Sequence, residues 1–203
     1  MGSGKIVVFD LGNVLIRWDR RLLFEQLIED PDELNHFLDN VLTMEYNKRL
    51  DSGEPLEQVA LAAAEDHPEY DHLIMAFASR WKETLGEVFE GSVQILEDLK
   101  AVGTPLYALT NWGEDTFASI EADYPFFEHF DGMVVSGREG VIKPDPSIYR
   151  ILCDRYDFSP REAVFIDDSG ANIATAMSLG FDALLFENAP RLRQQLIYRQ
   201  LLA

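Results

Sequence analysis

The chain is 203 residues long, 47% hydrophobic and 26% charged, which suits a folded globule with one good core, or one core plus a smaller insert. Thirty-six acidic against 17 basic residues leave a net charge of −19, so its field repels nucleic acid and anionic membrane and excludes both as expected partners. The single cysteine, Cys153, cannot form an internal disulfide. The scattered histidines offer no His-x-x-x-His zinc pair, and no apolar run nears the ~18 residues of a membrane span.

The opening Met1-Gly2-Ser3-Gly4 is set aside from the fold reading. With no signal-peptide core ahead of the first strand and one thiol placed in an apolar helical pattern (Ile148, Ile151, Leu152), a reducing, cytoplasmic setting is expected. The first strand signal is Ile-Val-Val-Phe at 6–9, followed at once by Asp10-Leu11-Gly12-Asn13-Val14. From about 20 to 84 no strand is legible. Helical spacings occur instead at Leu22, Leu23 and Leu27, at Leu34, Phe37, Leu38 and Val41, at Leu56, Val59, Ala60 and Ala63, and at Leu73, Phe77 and Trp81. Asp51-Ser52-Gly53-Glu54-Pro55 marks a turn in the middle.

Beyond the insert, Val93, Leu96 and Leu99 predict a helix ending before Gly103. Apolar runs at 106–109, 133–135, 164–166 and 183–186 are continuous rather than alternating, as in strands buried on both faces of a parallel sheet. Asp145-Pro146 reads as a helix N-cap and first residue, and Gly180 as the C-cap of a helix carrying Ile173, Ala176, Met177 and Leu179. Strands alternating with helices predict an α/β fold with a doubly wound parallel sheet. The expected organisation is an α/β core of residues 1–18 and 86–203, interrupted after the first strand by a helical cap at 19–85. An insert rooted beside Asp10 reads as a lid over the site, against the plainer reading of a structural add-on.

A carboxylate at the end of a buried strand is thrust into the crevice beyond the sheet edge, and Asp167-Asp168 end a second such run. Thr110-Asn111 end a third, bringing a hydroxyl and backbone amides. Lys143 precedes Pro144, which biases it toward extended backbone and helps aim its ammonium. Phosphoryl transfer wants this set. Asp10, the Gly12 carbonyl and Asp168 can supply hard oxygen ligands to Mg2+, while Lys143 and Thr110 hold phosphoryl oxygens and one carboxylate attacks phosphorus.

Four segments in order carry a family resemblance: Phe9-Asp10-Leu11-Gly12-Asn13-Val14-Leu15, Leu109-Thr110-Asn111-Trp112, Ile142-Lys143-Pro144-Asp145-Pro146-Ser147-Ile148-Tyr149, and Phe165-Ile166-Asp167-Asp168-Ser169-Gly170-Ala171-Asn172-Ile173. Together they resemble the haloacid dehalogenase (HAD)-like hydrolase superfamily over essentially the whole chain, and most closely its branch acting on sugar phosphates such as glucose 1-phosphate. The resemblance implies a Rossmann-like core and a magnesium-dependent phosphatase whose partner is a small phosphate ester, as a monomer or homodimer. It implies Asp10 as nucleophile and metal ligand, with the Gly12 carbonyl and Asp168 on the metal and Asp167 acting through metal-bound water. It implies Thr110 and Asn111 as phosphate binders, Lys143 neutralising nucleophile and phosphate, and Asn172 behind the metal ligands.

The sequence departs from the family at one position. Gly12 stands where a second Asp usually serves as general acid and base, help worth ~10²–10⁴-fold. Two alternatives follow. A 2-haloacid dehalogenase would use Asp10 on carbon without metal, and the Asp167-Asp168 pair argues against it; a catalytically weakened binding or regulatory protein would rest on Gly12 alone. Thr110 also reads as a helix cap, Asn172 as a purely structural hydrogen-bonder, and Trp18 and Trp112 as packing residues or pocket walls. In the insert, Met44-Glu45-Tyr46-Asn47-Lys48-Arg49 offers groups that read substrate hydroxyls or a solvated helix face, and Arg17 is open in the same way.

Overall fold

The computed structural model describes residues 5–203; the opening Met1-Gly2-Ser3-Gly4 set aside above lies outside the described residues. In chain order the strands are β1 (Ile6–Phe9), β2 (Ile16–Trp18), β3 (Leu85–Val88), β4 (Leu106–Thr110), β5 (Gly132–Val135), β6 (Ala163–Asp167) and β7 (Asp182–Leu185). Five of them form one sheet in the order β5-β4-β1-β6-β7, and every pairing in it is parallel. The most apolar run, β1, takes the centre, as a strand that must be covered on both faces does.

Strand side chains alternate between faces, and the core divides accordingly. Val7, Phe9, Leu106, Ala108, Val164 and Ile166 pack on one side; Val8, Leu109 and Phe165 pack on the other. The first face is covered by helices that follow the insert, among them Glu90–Ala101 and Ala189–Tyr198, through Leu96, Leu99, Leu192 and Leu196. The second is covered by Pro146–Arg155 and Gly170–Leu179, through Ile148, Tyr149, Leu152 and Ala176. This is the doubly wound α/β architecture expected. Asp145 caps Pro146–Arg155 by accepting from the Ser147 N–H, and Gly180 ends Gly170–Leu179 at φ 100°, a left-handed value that glycine adopts without strain. Cys153 is buried against the second face, and burial pushes its thiol up to about 12, as an inert core residue requires. Met177 differs from expectation: it is 62% exposed, on the outer side of its helix.

Between β2 and β3 lie helices α1 (Arg21–Phe24), α2 (Pro31–His36), α3 (Met44–Asp51), α4 (Leu56–Asp66) and α5 (Asp71–Arg80). Asp30 caps α2 with its carboxylate on the Asp32 and Glu33 amides, and Thr43 caps α3. Phe24 packs against Phe37 and Phe77 with ring centroids 4.7 and 6.3 Å apart, each ring contributing ~1.5–3 kcal/mol of burial. These rings belong to the same contiguous apolar cluster as Val7 and Phe9, so the core of the insert is continuous with the one on the first face of the sheet.

The root of the insert was not legible in the sequence. β2 and β3 pair antiparallel, Ile16 opposite Val88 and Trp18 opposite Leu85, so the expected boundary at 18/19 falls at the end of β2 and that at 85/86 just after the first residue of β3. Such short, half-buried strands carry too few residues for a period to show, and each finds its partner on the far side of the insert.

Candidate active site

Parallel register aligns the chemistry. Phe9 lies opposite Ala108 on one side and Ile166 on the other, so Asp10 emerges between the ends of β4 and β6, its N–H donating to the Ile166 carbonyl at 2.8 Å. There it meets Lys143. The buried ammonium lies 2.9 Å from Asp10 Oδ2 and 2.7 Å from Asp167 Oδ2, and donates to the Leu109 carbonyl at 2.8 Å. Asp10 Oδ1 accepts from the Leu11 N–H at 2.8 Å. Asp167 is fully buried; besides Lys143 it accepts from the Ser169 N–H at 2.8 Å and from Asn172 Nδ2 at 2.9 and 3.1 Å.

Carboxylate oxygens of Asp10, Asp167 and Asp168 all lie within 4.8 Å of one another. Burial pushes the Asp10 carboxyl up to about 7, the Lys143 ammonium opposing this and the charges of Asp167 and Asp168 adding to it. Asp168 is likewise raised by burial and by Asp167, against Lys143 and a hydrogen bond from Asn13. Burial works against the Lys143 ammonium as well, but Asp10 and Asp167 outweigh it and hold its pKa above the ordinary lysine value. One lysine among three acids leaves negative charge uncompensated, and the donors are all hard oxygens. That set can hold a divalent metal ion.

Other expected site residues fall nearby in roles of differing clarity. Thr110 is fully buried at the end of β4, and its hydroxyl has no hydrogen-bond partner among the described residues. Asn111 is engaged with Lys143: its Oδ1 accepts from the Lys143 N–H at 2.8 Å and its Nδ2 donates to the Lys143 carbonyl at 2.9 Å. The amide expected to bind phosphate therefore clamps the backbone that carries the ammonium. Asn172 orients Asp167, and Tyr149 donates to the Asn172 carbonyl at 3.1 Å. Gly12 lines the site, and a Cβ built on it would meet nothing within 4 Å.

Asp10, Gly12, Asn111, Lys143, Asp168 and Asn172 form the floor of a cavity of about 320 Å³, while the fully buried Asp167 and Thr110 do not line it. Its wall comes largely from the insert and its root: Trp18, Met44, Asn47, Leu50, Asp51 and Trp81. Trp112 completes it from the core, packed edge-on to Trp81 with centroids 5.9 Å apart, so it both packs and lines the pocket.

Residues 5–180 match the family model of the haloacid dehalogenase-like hydrolases. The chain belongs to that family. Among relatives of this HAD-like hydrolase, sesquiterpene phosphatase astK of Aspergillus oryzae is 25% identical over 191 residues, 89% of this chain and 88% of that protein. Acyl-CoA dehydrogenase family member 10 of Mus musculus is 33% identical over 109 residues, 53% of this chain but only 10% of that much longer protein. The fold matches a solved HAD family enzyme, bt-2542 from Bacteroides thetaiotaomicron in complex with magnesium, at TM-score 0.71 and 21% identity, over 92% of this chain and 95% of that one. No helix among the described residues of the HAD-like hydrolase is long and apolar enough to cross a membrane.

Sequence reasoning missed three contributors. Asn13 takes a left-handed φ of 55°, accepts from the Trp18 N–H at 3.0 Å and hydrogen-bonds Asp168, tying the acidic cluster to the root of the insert. Asparagine tolerates that conformation, which is the only signal the sequence held. Asp51, from the middle of the insert, and Trp81, from near its end, both reach the cavity, and nothing local to either marks it.

Proposed function

We propose that this HAD-like hydrolase cleaves small phosphate monoesters, with Asp10 as the nucleophile and magnesium as cofactor. The observation that supports this most is the convergence of Asp10, Lys143 and Asp168 on the floor of one cavity. Asp10, Asp168 and the Gly12 carbonyl would hold the ion, which when bound supplies charge neutralisation for the phosphoryl oxygens. Asp167, with its oxygens already taken by Lys143, Asn172 and Ser169, would act through a bound water.

The chain's own residues carry the rest. Lys143 holds Asp10 in place and favours its anionic form against the burial that raises its pKa. Asp10 forms an Oδ–P bond as the ester P–O bond breaks, giving an aspartyl-phosphate; water then attacks that phosphorus and releases phosphate. The Thr110 hydroxyl, buried without a partner among the described residues, would donate to a phosphoryl oxygen when substrate binds. Asn111 fixes the loop that aims Lys143.

For the substrate body the favoured class is sugar phosphates. Indole faces of Trp18, Trp81 and Trp112 suit the C–H face of a sugar ring, and Asn47, Lys48 and Asp51 suit its hydroxyls. A second class, prenyl-type phosphates, is favoured by the apolar share of the same wall and by the likeness to a sesquiterpene phosphatase. The expected setting is the cytoplasm, as a monomer or homodimer.

The test is a panel of sugar, alkyl and prenyl phosphates with magnesium, run beside Asp10→Asn. Wild type should release phosphate and fall silent with EDTA. The variant should lose turnover on the order of 10⁴–10⁶-fold, the scale set by losing a nucleophile. Phosphate release surviving in Asp10→Asn would overturn the assignment. So would metal-independent halide release from 2-haloacids with no phosphatase activity.

A further inference from the structure

A phosphatase of this kind must protonate a leaving oxygen and deprotonate a water, and the floor of the cavity holds no acid for either task. On the reading above Asp10 is the nucleophile and Asp168 would hold the metal, while the oxygens of Asp167 are taken by its donors. At Gly12 there is only open space. Asp51, the last residue of α3, lines the same cavity.

Its position is built rather than incidental. The Ser136 hydroxyl, which accepts from the Trp112 N–H at 2.9 Å, donates to the Asp51 carbonyl at 2.5 Å and pins the end of α3 to the core. Glycines allow this approach. A Cβ on Gly53 would sit 2.5 Å from the Gly137 carbonyl oxygen, one on Gly137 would sit 2.4 Å from the Glu114 nitrogen, and one on Gly113 would sit 2.7 Å from Leu50. Asp51 Oδ2 accepts from Asn47 Nδ2 at 2.9 Å, while Oδ1 has no partner among the described residues.

We propose that Asp51, supplied by the insert, is the general acid and base that replaces the carboxylate missing at Gly12. The inference rests on the phosphatase reading above. In the first step the Asp51 carboxyl gives its proton to the ester oxygen as the P–O bond breaks and the Asp10–P bond forms. In the second, the resulting carboxylate takes a proton from water as that water's oxygen bonds to phosphorus and the Asp10–P bond breaks. Phosphate leaves, and both carboxyl groups return to their starting states.

The electrostatics suit a group that alternates between forms. Burial pushes the Asp51 carboxyl up to about 7, with the Asn47 hydrogen bond and the Lys143 ammonium opposing it. Charged groups sharing its cavity are Lys48 on its own helix, Lys143 on the loop before Pro146–Arg155, and Asp10 and Asp168 at the strand ends.

The test compares wild type with Asp51→Asn, magnesium present, on an alkyl phosphate and on 4-nitrophenyl phosphate. The alkyl ester needs a protonated leaving group and the nitrophenyl ester does not. The variant should lose ~10²-fold or more in kcat/KM on the alkyl ester, with its alkaline limb gone. On the nitrophenyl ester it should release a burst near one equivalent and then stall, with a phosphoryl adduct on Asp10 visible by intact mass after acid quench. Gly12→Asp added to Asp51→Asn should restore alkyl-ester turnover, since the space beside Gly12 is open. Asn47→Ala, which keeps the carboxyl but removes its donor, should move the alkaline limb upward and serves if Asp51→Asn does not fold. An active wild type with an Asp51→Asn variant equal to it on both esters, or equally slowed on both with an unchanged pH profile and no adduct, would overturn the Asp51 role alone. A wild type inactive on every ester would instead overturn the phosphatase reading beneath it.

Discussion

The floor of the cavity and its wall differ in how their polar groups are held. At the floor, Lys143 and the Asp167 behind it are buried and each meets several partners at 2.7–3.1 Å, while Asn111 and Tyr149 brace the neighbouring backbone. In the wall, Asp51 keeps one oxygen free, Lys48 pairs with Glu45 in the open, and the buried indole N–H groups of Trp81 and Trp112 have no partner among the described residues. Charge that develops in a transition state is best met by groups already in place, so a tightly tied floor suits chemistry. A loosely tied wall suits recognition and proton transfer, where a group must change partner or charge.

Breaking the floor should have the largest effect. Lys143→Ala leaves Asp10 and Asp167 facing each other in a buried site and should cost ~3–5 kcal/mol by urea denaturation at pH 8. The Asp10 carboxyl already lies above its ordinary range because of burial, so it takes a proton as pH falls through about 7 and lower, and the deficit should shrink. A deficit that grew toward acid would break the comparison.

Thr110→Val tests the buried hydroxyl at the end of β4 that has no partner among the described residues. Stability should not fall, because no hydrogen bond is lost. Turnover should fall about 10–100-fold in kcat/KM, the worth of one hydrogen bond to a charged oxygen. A variant with lower stability and full activity would make the hydroxyl structural.

The smallest effect should come from the wall, with Asp51→Asn read as thermal stability. The Asp51 carboxyl is raised from 3.8 to about 7, so the folded state holds its proton between those values and ionising it above them costs stability. Removing that charge should raise Tm at pH 8, by ~2–4 °C for each ~1 kcal/mol relieved, and the gain should vanish toward pH 4. A fall in Tm at pH 8 would show the wall to be as tightly tied as the floor.

By itself the sequence determined the sheet and the floor. Parallel strands buried on both faces are written as continuous apolar runs, so all five strands of the large sheet were legible to within a residue or so. Asp10, Thr110 and Asp167 each sit in or beside such a run, so their placement at neighbouring strand ends followed from the strands alone. Lys143 and Asn172 were found through neighbouring segments, but their partners were not. Asn111 was expected at phosphate, and only the folded chain shows its amide on the Lys143 backbone. The β2–β3 ribbon, the Asn13 link to Asp168 and the seating of Asp51 against Ser136 were likewise decided by tertiary structure. A strand's burial is recorded in its own few residues. A contact across the insert is recorded in two distant places at once, and neither carries a local period or cap to announce it.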